Sequence, residues 1–95
     1  MLTKDMQHKV ENLKKKRDFT RLNELFRSMP AVDVAELIRP WPLPEQVQVI
    51  EELPIADSAN VFSRLPYDEQ YKIAKTMGHE NFTSIFQRFP VKFLH

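Results

Sequence analysis

Acidic side chains are the residues of this sequence with the clearest capacity for chemistry. Carboxylates are the hard oxygen ligands that Mg²⁺ and Ca²⁺ prefer, and they also attract basic protein surfaces. One group of acids predicts a docking surface for a basic partner, or a surface that binds a divalent cation weakly. The simpler alternative is that these acids are solvated at helix ends and on outer faces. The group consists of Glu45, Glu51, Glu52 and Asp57.

A run of cations forms a second candidate site, which consists of Lys14, Lys15, Lys16 and Arg17. Nucleic acids and anionic lipid headgroups are the usual partners of such a basic patch. Alternatively, the run ends a helix and stabilises its negative C-terminal end. No aromatic residue interleaves the run, and the middle of the chain is acidic. We therefore favour the helix end and predict no nucleic-acid partner.

Catalysis would need several reactive groups that converge in one pocket. The three histidines, His8, His79 and His95, are far apart in the chain, which has no cysteine and a single glycine. These counts exclude a thiolate nucleophile and a glycine-rich phosphate loop. We predict that the chain is not an enzyme, and we assign no catalytic residue, no metal ligand and no cofactor. His79 and Glu80 are predicted to cap a helix start.

A twelve-residue repeat predicts the elements that hold these side chains. If each repeat is numbered from its punctuating residue, position one is Pro30, Pro42, Pro54, Pro66, Gly78 and Pro90. Position four carries an acid or an amide: Asp33, Glu45, Asp57, Glu69 and Asn81. Positions eight, nine and twelve are apolar, as in Leu37, Ile38 and Trp41 of the first repeat.

The spacing of positions eight, nine and twelve places them on one face of an α-helix, whereas strand alternation would separate them. Each repeat therefore predicts a helix of about eight to ten residues, with a proline at its boundary. The acid at position four then lies in the positive first turn. Such short helices must bury their apolar faces against neighbours. We predict an all-α fold of about seven helices, stacked as a right-handed superhelix (an α-solenoid).

The whole chain is predicted to be one helical domain, because its length suits a single core. Thr3 and Asp18 are predicted to cap the first two helices. The predicted divisions are a leading helix at 1–17, a degenerate repeat at 18–29, five repeats at 30–89 and a truncated unit at 90–95.

Prolines and aromatic residues give two further local predictions. Three alternate prolines predict an extended bridge from Pro40 to Pro44, because prolines inside a helix break its hydrogen-bond ladder. Trp41, Tyr67 and Tyr71 could together bind a partner. Position twelve, however, places Trp41 in the core, which leaves Tyr67 as an open candidate.

The charges are segregated along the chain despite a net charge of only +1. Residues 1–27 contain eight cations and four anions, residues 28–70 two cations and eight anions, and residues 71–95 four cations and one anion. Surfaces of opposite potential are therefore expected, and such surfaces favour docking. No apolar run is long enough to span a membrane.

Three segments resemble the cytosolic N-terminal domain of the MgtE family of magnesium transporters. They are Met29 to Leu37, Glu52 to Val61 and Arg64 to Gln70. The resemblance covers about two thirds of the chain and implies a superhelix on the cytoplasmic side of the cell membrane, followed by CBS domains and a pore. It implies as partners a CBS-type domain and the transmembrane region, with magnesium bound only together with the partner domain.

The sequence departs from this family at its metal-site acids. The family often has an acidic pair after its fifth helix, where this sequence has Lys92 and Phe93, and a glutamate where this sequence has Asn60. Two functions therefore remain as hypotheses. The first is a regulatory domain that modulates gating by docking on adjacent domains. The second is a helical-repeat interaction scaffold, similar to a flagellar switch protein, without a metal role.

Overall fold

A computed structural model describes residues 2–86, apart from the side chains of His79 and of residues 84–86. Its regular elements are all helices, which confirms the predicted all-α class and the count of seven helices in the described residues. The end of the fifth repeat and the truncated unit at 90–95 lie outside the described residues. The helices are α1 (Lys4–Lys15), α2 (Phe19–Arg27), α3 (Ala31–Ile38), α4 (Leu43–Glu52), α5 (Ile55–Ser63), α6 (Tyr67–Met77) and α7 (His79–Phe86).

The position-one prolines occupy the residue immediately before each of four helices. Pro30, Pro42, Pro54 and Pro66 have φ between −54° and −60° and ψ between 141° and 153°. This extended conformation is usual for an N-cap residue, whose carbonyl accepts the first helical hydrogen bond. Each proline carbonyl accepts that bond from position five, as in Gln70 N to Pro66 O at 2.9 Å. A proline can therefore precede each of these four helices, because no hydrogen bond from its own amide is needed at that position.

The two predicted side-chain caps at the start of the chain are confirmed. Thr3 Oγ1 accepts a hydrogen bond from Met6 N at 3.1 Å, and Asp18 Oδ1 accepts one from Arg21 N at 3.3 Å. Both oxygens satisfy backbone donors that have no partner within the helix. The leading helix and the degenerate repeat thus begin with a polar cap, where the later repeats use proline.

The predicted extended bridge from Pro40 to Pro44 is wrong. Pro40 lies in a turn, Pro42 is extended with φ −56° and ψ 146°, and α4 begins directly after it at Leu43. Pro44 fits the first turn because the amide groups there have no helical acceptor to lose. Trp41 is buried as predicted, 6% exposed, with its ring 6.1 Å from that of Phe26.

The apolar positions of the repeat build the core as predicted. Positions eight, nine and twelve are buried except for Leu37 and Ala74, which are half-buried. Ile85, Phe86 and Phe89 belong to the same positions and lie outside the described side chains. The buried members are Ile38, Trp41, Val49, Ile50, Leu53, Val61, Phe62, Leu65, Ile73 and Met77.

The helices pack in two layers. Even-numbered helices form one layer, in which α2 contacts α4 and α4 contacts α6. The odd-numbered helices from α3 onward form the other, in which α3 contacts α5 and α5 contacts α7, while α1 packs on α2. The molecule is elongated, with extents of 41 × 24 × 21 Å. This arrangement is typical of a stack of helix pairs, whereas the right-handed superhelical twist stays a prediction.

Polar side chains at position five are buried in three consecutive repeats. Gln70 Nε2 donates to Phe62 O at 2.9 Å and to Leu65 O at 2.8 Å. Gln46 donates in the same way to the carbonyls of Ile38 and Arg39, at 2.8 and 3.0 Å. Ser58 Oγ donates to the carbonyls of Ile50 and Leu53. These side chains satisfy the last carbonyls of the preceding helix, which would otherwise be buried without a donor.

Arg17, two residues after the last residue of α1, has a left-handed backbone conformation, with φ 57°. Its amide donates to Lys14 O, and the amide of Asp18 donates to Leu13 O, both at 3.0 Å. These two bonds form a Schellman motif, in which glycine is the preferred residue at this position. A non-glycine residue with this backbone conformation carries a steric cost.

We therefore expect Arg17→Gly to raise the free energy of unfolding by about 0.5–1 kcal/mol. Urea denaturation followed by circular dichroism measures the change. Lys9→Gly, at an exposed position in the interior of α1, is the matched control and should lower stability by about 1 kcal/mol. A loss of stability in Arg17→Gly would mean that the Arg17 side chain makes contacts worth more than its backbone strain.

Candidate functional site: the charged surfaces

The four acids predicted as a docking or divalent-cation surface lie at helix ends. Glu45 lies in the first turn of α4, Asp57 in the first turn of α5, and Glu51 and Glu52 in the last turn of α4. Glu45 and Glu51 are six residues apart on one helix, or about 9 Å along its axis. Among the described residues, no group of three His, Asp or Glu side chains is placed to hold a metal ion. The weak divalent surface stays a prediction.

The four cations of the predicted basic patch do not share one environment. Lys15, Lys16 and Arg17 are exposed, whereas the Lys14 side chain is only 22% exposed. Lys14 Nζ lies 3.2 Å from Glu45 Oε2 and 4.8 Å from the centre of the Trp41 ring. The Glu45 oxygen is buried without an aligned hydrogen-bond donor, so the contact is an ion pair. Lys14 therefore joins α1 to α4.

The same kind of contact recurs along the stack and links the C-terminal end of one helix to the first turn of the helix three places later. We call these contacts the end-to-end ladder. The acids at position four, predicted to lie in the first turn of each helix, form one side of it. The four contacts are Lys14 Nζ–Glu45 Oε2 at 3.2 Å, Arg27 Nε–Asp57 Oδ2 at 3.9 Å, Arg39 Nη2–Glu69 Oε2 at 3.0 Å and Asn81 Nδ2–Glu51 Oε2 at 3.4 Å.

Charge favours the first three contacts in two ways. The cation and the acid attract each other, and each is also stabilised by the dipole of its own helix. Each cation lies at the negative end of its helix and each acid at the positive end of the other. The pair of Arg39 and Glu69 is the best formed, because Arg39 Nε also lies 3.1 Å from Glu69 Oε2. The arginine side chain is 51% exposed, so water screens the pair and its contribution is about 0.2–1 kcal/mol.

The fourth contact departs from this charge pattern. Glu51 occupies the place of the cation, and Asn81 the place of the acid. The amide of Asn81 donates to the carboxylate, so the contact is a hydrogen bond and leaves a negative charge at the end of α4. Glu51 and its neighbour Glu52 are both exposed. The C-terminal end of α4 therefore presents an acidic surface.

Sequence reasoning missed the end-to-end ladder. The signal present in the sequence is the arginine at position ten of two repeats, Arg27 and Arg39, each thirty residues before an acid at position four. This separation is two and a half repeats. It can be recognised as the spacing of a contact only when the arrangement of the helices in two layers is known. Periodicity alone could not indicate which helix ends meet.

The remaining predicted positions are placed as follows. Asn60, where the family often has a glutamate, is exposed on α5. His79 begins α7, but its side chain is outside the described residues, so the predicted cap with Glu80 stays a prediction. Lys92 and Phe93 also lie outside them. An open depression of about 410 Å³ is lined by Glu36, Arg39, Pro40 and Glu69.

The length and the hydropathy of a helix decide whether it can cross a membrane. Within residues 2–86, none of the helices is both long enough and apolar enough to cross a bilayer.

Comparison with known proteins gives one match. The family model described as MgtE intracellular N domain matches residues 29–92, which is more than half of the chain. The match begins at the residue before the first position-one proline and covers α3 to α7. No curated protein and no solved structure matches the chain. Because the match spans the repeats that build the two-layer stack, the chain belongs to the MgtE intracellular N domain family, a family of intracellular domains of MgtE magnesium transporters.

Proposed function

We propose that this domain regulates a magnesium transporter by docking on the parts of the protein next to it, a CBS-type domain and the transmembrane region. The observation that carries the proposal is the family match over residues 29–92. On this proposal the domain lies at the cytoplasmic side of the cell membrane. Its task is to bind its neighbours more tightly in one gating state than in another, since only differential affinity shifts an equilibrium.

The exposed acids at the end of α4 support a role for the cation in that docking. Glu51 and Glu52 are exposed and adjacent, and Mg²⁺ is usually held by one or two carboxylates with several waters. The described part of the chain supplies no complete group of ligands. We therefore propose that magnesium binds only when the neighbouring domain contributes further oxygen ligands, and that the shared ion holds the docked state together.

Transport measurements on a transporter that carries this domain test the proposal. We expect deletion of the domain to raise magnesium flux at high magnesium on the domain's side of the membrane, with little change at low magnesium. The physical reason is that the docked state, which the ion stabilises, can no longer form. Flux into proteoliposomes at the two concentrations measures this. An unchanged ratio between the two fluxes would contradict the regulatory role.

A pair of matched variants tests the contribution of the acids. In Glu51→Gln with Glu52→Gln, the charges disappear while the side-chain shape and the contact to Asn81 are retained. We expect the magnesium concentration that closes the transporter to rise several-fold. Glu11→Gln with Glu24→Gln removes the same charge from exposed positions on α1 and α2, and should leave it unchanged.

The scaffold function is the second candidate, and the cation Lys92 in place of a family acid favours it. A scaffold would dock on its partner without magnesium. Hydrogen exchange of the domain together with its neighbour, with and without magnesium, separates the two functions. Protection that does not depend on magnesium would support the scaffold.

A further inference from the structure

Trp41 and Glu45 form a small site that holds one cation, the ammonium group of Lys14. Lys14 Nζ lies 4.8 Å from the centre of the Trp41 ring and 3.2 Å from Glu45 Oε2. The first distance is that of a cation–π interaction and the second that of an ion pair. Trp41 is buried, and the side chains of Lys14 and Glu45 are only 22% and 29% exposed. The ammonium group is therefore attracted by two partners and largely removed from water.

The tryptophan ring distinguishes this site from the two other pairs of a cation and an acid in the end-to-end ladder. Trp41 occupies position twelve, four residues before the acid Glu45. The equivalent positions before Asp57 and Glu69 carry leucine. The cations of those pairs are arginines whose side chains are more than half exposed. Because the face of a tryptophan ring attracts an ammonium group in addition to the carboxylate, the chemistry of this site fits a lysine side chain.

The helix that supplies this cation is held by few buried side chains. Val10 is the buried residue of α1, whereas α3 to α6 each bury three or four side chains. The helix packs on α2, and it lies before residue 29, where the family match begins. Helices with few buried contacts open at a lower free-energy cost than the rest of a domain. Displacement of α1 would take Lys14 out of the site and leave the repeats that form the core in place.

We propose that Trp41 and Glu45 form a binding site for a lysine side chain of a protein partner, and that Lys14 closes this site in the free domain. The lysine of the partner takes the place of Lys14, with its ammonium group against the Trp41 ring and the Glu45 carboxylate. The helix α1 is then autoinhibitory, because it must move before the partner binds. The class of ligand follows from the cation that the chain itself places in the site. The inference does not use the magnesium-dependent docking proposed above, and neither depends on the other.

Chemical rescue in the full chain tests the site. Lys14→Ala removes the cation, and n-butylammonium, which has the length of a lysine side chain, is the probe that replaces it. Trp41 is the single tryptophan of the chain, so tryptophan fluorescence reports on this site. We expect butylammonium to change the fluorescence of Lys14→Ala with saturation and to raise its melting temperature. The unmodified chain should need at least about tenfold more butylammonium, because its site is open in only a small fraction of molecules.

Two matched variants and an uncharged probe are the controls for the rescue. Lys14→Ala with Glu45→Gln should respond to butylammonium at least about tenfold more weakly, because a neutral amide replaces the carboxylate. Lys15→Ala, which removes the exposed cation next to Lys14, should respond as the unmodified chain does. The probe n-butanol has a similar length and no charge, and should have no effect on either chain. A response to butylammonium that Lys15→Ala shares, or that butanol reproduces, would overturn the proposal.

Hydrogen exchange of the unmodified chain tests the displacement of α1. The probe is a side-chain-stapled helical peptide of about 16 residues with one lysine in a leucine stripe, since shorter helices are marginal in water. Its control has glutamine in place of the lysine. We expect the lysine peptide to accelerate exchange of the Val10 and Leu13 amides at least about fivefold, while that of Ile73 in α6 stays unchanged.

Three results of this measurement would overturn the proposal. Exchange in α1 that neither peptide accelerates would show that a lysine does not displace the helix. Equal acceleration by both peptides would show that the ammonium group plays no part. A concentration-dependent dimer in sedimentation that Lys14→Ala abolishes would make Lys14 of a second copy the occupant in place of a partner's lysine.

Discussion

Replacing Phe62 by alanine is expected to lower the free energy of unfolding by about 3–5 kcal/mol. Phe62 is fully buried at position nine of α5, and the centre of its ring lies 5.6 Å from that of Phe82 on α7. Alanine removes a whole ring from the contact between two helices of the odd-numbered layer. The remaining side chains relax only in part, so a cavity adds to the lost transfer energy.

Urea denaturation of the purified domain measures this loss. A domain of this size has a total stability of about 5–15 kcal/mol, so the variant is expected to be near its unfolding threshold at room temperature. Phe62→Leu keeps most of the volume and should be milder. Val32→Ala, at an exposed position of α3, should stay within about 0.5 kcal/mol. A loss below about 1 kcal/mol in Phe62→Ala would show that the odd-numbered layer is loosely packed at this point.

Much of the fold could be predicted because one short pattern is repeated. Positions eight, nine and twelve are apolar in every complete repeat, and a helix is the element that brings this spacing to one face. Ile38, Phe62 and Ile73 are buried for this reason. A twelve-residue repeat leaves about two residues between helices, which indicates a stack rather than a bundle of long helices.

The repeat pattern did not predict the burial of the polar side chains at position five. Gln46, Ser58 and Gln70 are polar, and nothing in a single repeat indicates that they are buried. They are buried because the end of the preceding helix presents carbonyls that need donors, and that need becomes visible only when two helices are placed together. The predicted extended bridge failed for a related reason. The sequence predicts that Pro44 breaks a helix, but in the first turn of α4 a proline removes no helical hydrogen bond.

The charged surfaces were only partly predictable. The sequence indicates acids in the first turn of each helix, and the structure places Glu45, Asp57 and Glu69 there. It could not indicate that cations thirty or thirty-one residues earlier meet them, because that depends on which helices share a layer. Lys14 was predicted as part of a solvated helix end, yet it is mostly buried between Glu45 and Trp41. Long-range packing decides such contacts, and the local pattern does not encode it.

In the five repeats at 30–89, Gly78 is the one residue at position one that is not proline, and its backbone explains the exception. It has φ 89° and ψ 154°, a conformation that is nearly confined to glycine. A single residue separates α6 from α7, whereas α5 and α6 are joined by three. The four junctions that contain a position-one proline have two to four connecting residues, whereas this one has a single residue.

Gly78→Pro, which would make the repeat regular, is therefore expected to destabilise the domain by about 3 kcal/mol or more. Proline needs φ near −65°, loses the bond from Gly78 N to Ala74 O at 3.2 Å, and disfavours the helical conformation of Met77 before it. Met77 is buried, so unwinding the end of α6 would expose part of the core. Thermal and urea denaturation measure the change.

Gly78→Ala is the matched control, and it separates backbone strain from steric contact. A Cβ atom at this position meets nothing within 4 Å, so the expected loss of about 1–3 kcal/mol comes from the backbone conformation alone. The proline variant should exceed it because it also loses a hydrogen bond and the last turn of α6. If Gly78→Pro were as stable as the unmodified domain, the junction between α6 and α7 could adopt the geometry of the other repeats. The short connection between these helices would then have no role in fixing where α7 packs against α5.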